Sequence, residues 1–198
     1  SDEGNFHDEA TQQKTGTNIF HQSASTSDLA KRLNLSEAEL HKKRRDILSK
    51  LHTVRATRIR PGLDDKILSD WNGLAIAGLA DAYQATGKNS YLEAAKNSAS
   101  MIQTYLQPTP TTLVHRYRNG NAGIQATALD YHYFIYGLLR LYAVTYDPDY
   151  LQHAYGLQQQ ADTLFWDTKN PGYFLSADNE LLIKQQDSYD GALPAANA

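Results

Sequence analysis

Three places in the chain bring acidic side chains to the apparent start of a helix. The first is RPGLDDKILSDWNGL, at 60–74, which contains Asp64 and Asp65, and the others centre on Asp130 and Asp190. A pair of carboxylates roughly 5–9.5 Å apart can cleave a glycosidic bond, one as proton donor and the other as base or nucleophile. The same side chains can instead cap helix N-termini, which contributes about 0.5–2 kcal/mol and needs no ligand.

The neighbours of these acids are typical of a site for a polyhydroxylated ligand. Aromatic faces stack on the apolar patches of sugars, while charged and amide groups bind the hydroxyls. We therefore predict Asp65 and Asp130 as catalytic carboxylates. The predicted substrate-binding residues are Arg60, Asp64, Lys66, Trp71, Asn72, Tyr131 and Asp190.

Histidines offer a second kind of chemistry. An epimerase needs a base and an acid on the two sides of a sugar carbon, and histidine suits that task near neutral pH. His132 is the best-placed histidine and is predicted as catalytic, and His115 in LVHRY is second. No HExxH spacing, glycine-rich phosphate loop or Gly-x-Ser-x-Gly motif is present, so the sequence predicts no metal and no cofactor.

Helical periodicity indicates the elements that position these residues. Ser36 followed by Glu39 fits a capping box, and the helix that follows runs to about Ile59 before Pro61 and Gly62 end it. Further along, the pattern predicts helical hairpins at 67–106 and 126–165, with short strand pairs at 111–120 and 172–184.

The two helical hairpins are copies of one unit. LAIAGLADAYQATGKNSYLEAA, from 74, aligns with YFIYGLLRLYAVTYDPDYLQHA, from 133, at an offset of 59 residues with eight identities in 22 positions. A repeat of this length predicts a toroid of helical hairpins, in which the first helix of each pair lies inside. We therefore expect the acids that precede inner helices to converge at one mouth.

The predicted fold class is all-α, a partial toroid of helical hairpins with short β-hairpins between the repeats. We predict one partial barrel domain over 1–198. Its parts are an introductory strand and helices at 1–60, a first repeat at 61–125, a second at 126–188 and the start of a third at 189–198.

Composition excludes several classes of partner. A net charge of −3 gives no broad electrostatic reason to bind nucleic acid or an anionic membrane. No apolar run reaches the roughly 18 residues of a membrane span, and the polar start SDEGNFHDEA does not resemble a signal peptide. The absence of cysteine suits a cytoplasmic protein, which is the predicted location.

Four segments, in this order and spacing, resemble the YyaL-type thioredoxin-domain-containing proteins, whose animal members are called spermatogenesis-associated. They are RATRIRPGLDDKILSDWNGLAIAGLA, ALDYHYFIYGLLRLYAVTYD, LFWDTKNPGYF and DGALPAANA. The opening EGNFH also resembles this family, so the resemblance covers essentially the whole chain. It implies a thioredoxin-like domain, absent here, followed by an (α/α)6 barrel similar to N-acylglucosamine 2-epimerases and six-hairpin glycosidases.

The resemblance implies a fold and the place of a pocket, and it leaves three functions open. The first is a carbohydrate-processing domain, either an isomerase or epimerase or a glycoside hydrolase, acting on a small-molecule or carbohydrate ligand. The alternatives are a non-catalytic glycan or ligand-binding module and a scaffold that presents the thioredoxin-like domain. Since the chain stops where a third inner helix should open, we expect it to be a fragment that self-associates through its uncovered apolar flanks.

Overall fold

Helices form most of the computed structural model, which describes residues 3–177 and 183–197. The described residues contain six α-helices and one three-stranded antiparallel sheet, which confirms the mainly helical fold class. Contacts divide the chain into two units, Ser1–Gly62 and Leu63–Ala198. The predicted single domain, with its four parts, stays a prediction.

The first unit contains helices α1 (Thr26–Leu33) and α2 (Glu37–Ala56). The predicted capping box is confirmed, because the Ser36 hydroxyl accepts the Glu39 N–H while the Glu39 carboxylate accepts the Ser36 N–H over 2.9 Å. No residue of α2 is buried, so this helix has an uncovered apolar side.

The second unit contains both helical hairpins. Its elements in order are β1 (Ile67–Leu68), α3 (Ser69–Thr86), α4 (Asn89–Tyr105), β2 (Val114–Arg118), β3 (Asn121–Gln125), α5 (Ala128–Thr145) and α6 (Pro148–Phe165). Helix α5 begins and ends 59 residues after α3, and α6 begins 59 residues after α4. The sequence repeat is therefore a structural repeat.

Close backbone contact joins the first helices of the two hairpins. A methyl group added at Gly73 of α3 would lie 2.4 Å from the carbonyl carbon of Tyr133, and one added at Gly137 of α5 would lie 2.7 Å from the carbonyl oxygen of Gly73. Both glycines are buried. Helix α5 packs against both α3 and α6 and buries nine residues, as expected of an inner helix.

The sheet differs from the sequence prediction in its boundaries. Its order is β1-β2-β3, and Ile67 and Leu68 pair with Tyr117 and Arg116 rather than opening α3. The turn between β2 and β3 has positive φ at Asn119 and Gly120, as a two-residue type I′ turn requires. Because the chain turns at these two residues, the strand pair spans 114–125 and not the predicted 111–120.

The second predicted strand pair, at 172–184, lies partly outside the described residues. Within the described part, Trp166 and Tyr173 form an isolated antiparallel bridge. Residues 189–197, predicted to start a third inner helix, form bends and turns. Among the described residues, no helix combines the length and the apolar character needed to cross a bilayer.

Candidate functional site at the start of the inner helices

The carboxylate of Asp130, at the start of α5, lies at the centre of a buried hydrogen-bond network. Asp130 has no exposed surface. Its Oδ1 accepts the backbone N–H of Asp70 over 3.1 Å. Its Oδ2 accepts the N–H and the hydroxyl of Thr127 over 2.8 and 3.0 Å, and His115 Nδ1 lies 2.9 and 3.1 Å from the two oxygens.

These four donors connect three elements. Thr127 immediately precedes α5, Asp70 is in the first turn of α3, and His115 is in β2. A carboxylate offers about four acceptor positions, so those of Asp130 are filled. Asp130 therefore ties the two inner helices to the sheet and satisfies N–H groups that helix starts leave open.

His115 is positioned by this network. A carboxylate can only accept hydrogen bonds, so the proton shared with Asp130 belongs to His115 Nδ1. In the neutral imidazole Nε2 is then an acceptor, and no described residue donates a hydrogen bond to it. The His115 side chain is 25% exposed, so a ligand could reach it from solvent.

Asp70 lies beside this pair and is nearly buried, with 8% of its surface exposed. Its Oδ1 accepts the backbone N–H of Trp71 over 2.7 Å. Burial raises the pKa of the Asp70 carboxyl above its ordinary value, and the negative charge of Asp130 raises it further. Asp70 therefore holds its proton to a higher pH than an exposed aspartate does.

Asp70, His115 and Asp130 have the donor types of a divalent-metal site. One ligand atom from each lies within 4.8 Å of the others. However, His115 Nδ1 and both Asp130 oxygens already make the hydrogen bonds described above. A metal ion would have to replace these bonds, so the arrangement fits proton transfer better than metal binding.

The predicted acids at 64–65 lie elsewhere. Helix α3 begins at Ser69, so Asp64 and Asp65 precede β1 and do not cap the helix. The carboxylate of Asp65 accepts a 2.5 Å hydrogen bond from Arg118 Nε at the end of β2. Asp64 instead pairs with Lys66 at 2.7 Å.

Asp65 and Asp130 are not brought together around one ligand position. Asp65 binds the side chain of Arg118, while Asp130 binds that of His115, three positions earlier in the same strand. Successive strand residues point to opposite faces, so the two carboxylates contact opposite faces of β2. Among the predicted acids, only Asp130 belongs to the buried network.

The remaining predicted binding residues divide into buried and exposed groups. Tyr131 is buried, accepts the Leu113 N–H over 3.0 Å and packs edge-on against Phe165, so it stabilises the core. Asn72 donates to the Leu68 carbonyl over 2.7 Å. The exposed predicted residues are Trp71, Arg60 in the first unit, and Asp190, whose carboxylate accepts the Ala195 N–H.

His132 has a different environment from His115. Its ring lies edge-on to Tyr173 with centroids 4.6 Å apart, and its Nε2 is buried without a hydrogen-bond partner. Burial lowers the pKa of His132. It lines an open cavity of about 370 Å³ together with Tyr136, Gln158 and Ala195. Within residues 3–177 and 183–197, no carboxylate hydrogen-bonds to His132, whereas Asp130 orients His115.

Sequence reasoning missed Asp70 as a site residue and ranked His115 second among the histidines. A signal for Asp70 was present, because Asp70, Asp130 and Asp190 follow one another at intervals of 60 residues. No equivalent signal existed for His115, because its pairing with Asp130 depends on how the hairpin packs on α5.

Curated relatives match most of the chain. Protein B0495.5 of Caenorhabditis elegans is 33% identical over 190 residues, which are 91% of this chain and 26% of that protein. Human spermatogenesis-associated protein 20 is 31% identical over 163 residues, which are 76% of this chain and 21% of that protein. The chain therefore spans about a quarter of the length of these relatives. No family model matches it.

Solved structures share the fold over part of their length. A family 76 α-mannanase of Bacteroides thetaiotaomicron matches 65% of this chain and 37% of its own, with a TM-score of 0.54 and 23% identity. Cellobiose 2-epimerase of Bacillus thermoamylovorans matches 66% and 35%, with a TM-score of 0.53 and 17% identity. A family 105 glycoside hydrolase of C. acetobutylicum matches 82% of this chain and 51% of its own, with a TM-score of 0.52 and 12% identity.

At these identities the similarity shows the fold alone, which is part of an (α/α)6 toroid. The chain is homologous over most of its length to spermatogenesis-associated protein 20 and to B0495.5, which confirms the family that its sequence motifs predicted.

Proposed function

We propose that the chain contributes to a carbohydrate site of the isomerase or epimerase type, with His115 as the base and Asp70 as the acid. One observation carries the proposal. Asp130 holds His115 Nδ1 at 2.9 Å, which leaves Nε2 without a partner among the described residues, and one ring nitrogen of His115 lies within 4.8 Å of a carboxylate oxygen of the nearly buried Asp70.

Asp130 acts in this proposal as a positioning residue. A buried carboxylate that accepts the Nδ1 proton fixes the tautomer of a histidine and orients its ring, and it stabilises the imidazolium that forms when Nε2 takes a proton. The other three donors keep the carboxylate of Asp130 in place.

The proposed reaction needs one proton removed and one supplied. His115 Nε2 removes a proton from the carbon next to the sugar carbonyl, while the Asp70 carboxyl protonates the carbonyl oxygen to give a neutral enediol. Return of the proton from His115 to the neighbouring carbon, while the Asp70 carboxylate takes the proton of the other enediol hydroxyl, gives the isomer and restores both residues. An epimer forms only where a second proton donor reaches the opposite face of the original carbon. The raised pKa of Asp70 suits the role of acid.

Hydrolysis by Asp130 and Asp65 has less support. A glycosidase needs carboxylates that reach the two sides of the scissile bond. Asp130 has no exposed surface and its acceptor positions are filled, while Asp65 is paired with Arg118 on the other face of β2. These bonds favour a structural role for Asp130 and a surface role for Asp65.

The sugar as ligand is supported by the fold and by Trp71. An (α/α)6 fold is shared with a mannanase and with a cellobiose 2-epimerase. Trp71, one residue after Asp70, is 59% exposed and could stack on a sugar ring.

The test is whether the protein converts mono- and disaccharides, including N-acylated amino sugars and uronic acids. The products are separated by chromatography and their masses are measured by mass spectrometry. The proposal expects a product of unchanged mass. His115→Gln should lower the rate by about 100-fold or more, the usual contribution of a general base, while His132→Gln should retain conversion. Equal rates for wild type and His115→Gln, or hydrolysed products, would contradict it.

A non-catalytic glycan-binding module is the second candidate, and one observation favours it. The carboxylate at the centre of the network is fully used in hydrogen bonds between elements, as a structural residue would be. Sugar binding that persists in Asp65→Asn and in His115→Gln, without conversion of any sugar by the wild type, would support this candidate instead.

A further inference from the structure

The contact between the two inner helices uses a different face of each. Helix α3 contributes Gly73 and Ile76, which lie against Gly137 of α5. Gly73 also lies against the backbone of Tyr133 and Phe134. All five residues are buried. Since α5 repeats α3 at an offset of 59 residues, each helix also carries the face with which the other one makes this contact.

On α3, the face that is equivalent to the contact face of α5 is largely open to solvent. It consists of Leu74, Ala75 and Gly78, and we call it the free face of α3. Ala75 and Gly78 are exposed, and Leu74 is half-buried. A methyl group added at Gly78 would have no atom of the described residues within 4 Å. The free face of α3 is therefore apolar and made mainly of small residues.

On α5, the face that is equivalent to the contact face of α3 is also open. The α5 positions equivalent to Gly73 and Ile76 line an open cavity of about 370 Å³. With their helix neighbours in this cavity they form the free face of α5, which consists of His132, Ile135, Tyr136 and Leu139. Tyr136 and Leu139 are each more than a third exposed. The free face of α5 is therefore made of large side chains.

The two free faces complement each other in size. In the contact between α3 and α5, the glycine of α3 leaves room for the backbone of α5. Between the free faces the roles are exchanged, because Ala75 and Gly78 of α3 leave room for Tyr136 and Leu139 of α5. Two free faces of α5 would instead set large side chains against each other, and two free faces of α3 would leave gaps.

Charge also favours contact between unlike faces. Asp81 and Arg140 occupy equivalent positions of the repeat and pair across the α3–α5 contact, where Arg140 Nε donates to Asp81 Oδ1 over 2.7 Å. In a contact between copies, Arg140 of one copy takes the place of Asp81, and Asp81 of the next takes that of Arg140. Opposite charges therefore meet again, and the five N–H donors of a guanidinium allow it to bind a second carboxylate.

We infer that a second copy of this chain covers these faces, with the free face of α5 in one copy packed on the free face of α3 in the next. Such a contact is head-to-tail and leaves a free face at each end for a further copy. Six inner helices complete an (α/α)6 toroid and each copy has two, so three copies match that number. The inference does not depend on the proposed function.

The experiment starts from Leu48→Lys as the parent protein, which removes the contribution of the exposed apolar side of α2. Gly78→Arg blocks the free face of α3, and Leu139→Arg blocks that of α5. Each substitution should weaken association by about 100-fold or more, because it would bury a charge without a partner. Native mass spectrometry and sedimentation equilibrium should show a species of three copies for the parent and monomers for each blocked variant.

Mixing the two blocked variants tests the head-to-tail arrangement. The Gly78→Arg protein keeps its α5 face, and the Leu139→Arg protein keeps its α3 face, so we expect a complex with one copy of each. The two blocked faces both carry arginine and repel each other, so the complex should stop at two copies. A contact between like faces would not be restored by mixing.

Leu151→Arg on α6 is the matched control, because it makes the same substitution at a leucine that is about as exposed as Leu139. It should associate like the parent. Circular dichroism checks that each variant is folded. If a blocked variant does not fold, Ala75→Arg replaces it on the α3 face and Tyr136→Arg on the α5 face.

Three results would overturn the inference. The first is a mixture of folded blocked variants that stays monomeric. The second is a blocked variant that associates like the parent, or a Leu151→Arg control that loses association to the same extent as the blocked variants. The third is a folded parent that is monomeric at all concentrations, which would mean that a helix other than one from a second copy covers the two faces.

Discussion

The backbone N–H of Asp70 donates to Oδ1 of Asp130 over 3.1 Å, although 60 residues separate them in the sequence. Each aspartate lies in the first turn of an inner helix, so the side chain of one helix start caps the other. The same carboxylate holds His115 on β2. A single buried residue thus stabilises the repeat and orients the imidazole that we propose as the base.

Removal of the Asp130 carboxylate should strongly destabilise the protein. Asp130→Ala leaves the buried donor from Asp70 and the partly buried donors from Thr127 and His115 without their acceptor, so we expect the free energy of unfolding to fall by about 3–5 kcal/mol. Asp65→Ala is the control and should cost less than about 1 kcal/mol, because the Arg118 pair is partly exposed. Urea unfolding measures both, and equal effects would contradict the central role of Asp130.

The close approach of the inner helices predicts opposite effects for two glycine substitutions. Gly73→Ala would place Cβ 2.4 Å from the Tyr133 backbone, so α3 and α5 must move apart and the melting temperature should drop sharply. Gly78→Ala, in the same helix with no atom within 4 Å of the added methyl, should be stabilising by about 0.5–1 kcal/mol. Thermal unfolding compares them, and a tolerated Gly73→Ala would show that the helices are less closely packed.

The raised pKa of Asp70 predicts how stability depends on pH. Its folded-state pKa lies above the ordinary value of 3.8, so between these two values the folded protein holds a proton that the unfolded chain has released. The stability contributed by Asp70 is therefore fully present below pH 3.8 and is lost as the pH rises through the folded-state pKa.

Asp70→Asn removes this titration. The difference in free energy of unfolding between Asp70→Asn and wild type should grow in favour of the variant as the pH rises above 3.8, and then level off. Denaturant unfolding at a series of pH values measures the difference. A constant difference across the series would mean that burial does not perturb Asp70.

The uncovered apolar side of α2 predicts self-association of this chain. Ile47, Leu48 and Val54 are each more than half exposed, and the first unit has an open cavity of about 570 Å³ lined mainly by apolar side chains. Patches of this kind usually mark an interaction surface. Sedimentation velocity should show larger species at higher concentration, and Leu48→Lys should reduce them. A monodisperse monomer at all concentrations would contradict the prediction.

The repeat made the helical architecture predictable from the sequence. Apolar spacing and the offset of 59 residues located both hairpins, and α5 follows α3 at that offset. The start of α3 was less predictable, because Ile67 and Leu68 fit a helical period as well as a strand. Their pairing with β2 depends on residues about 50 positions later, which local pattern does not contain.

The candidate site was predicted only in part for a related reason. Asp130 was identified because it precedes an inner helix, but its saturation by four donors depends on tertiary packing. Asp65 had the same sequence signal, and a contact with Arg118 places it on the other face of β2. Residue type and position relative to a helix thus indicate where acids lie, while hydrogen-bond partners decide what each acid can do.

Hydrogen exchange at the sugar carbon tests the central claim most directly. In D2O, a base that removes a proton from the carbon next to a carbonyl returns deuterium, so the proton NMR signal of that position should decline in a sugar that the protein binds. We predict this loss for wild type and for His132→Gln, and its absence for His115→Gln. Binding without deuterium incorporation in wild type, or equal incorporation by His115→Gln, would contradict the assignment of His115 as the base.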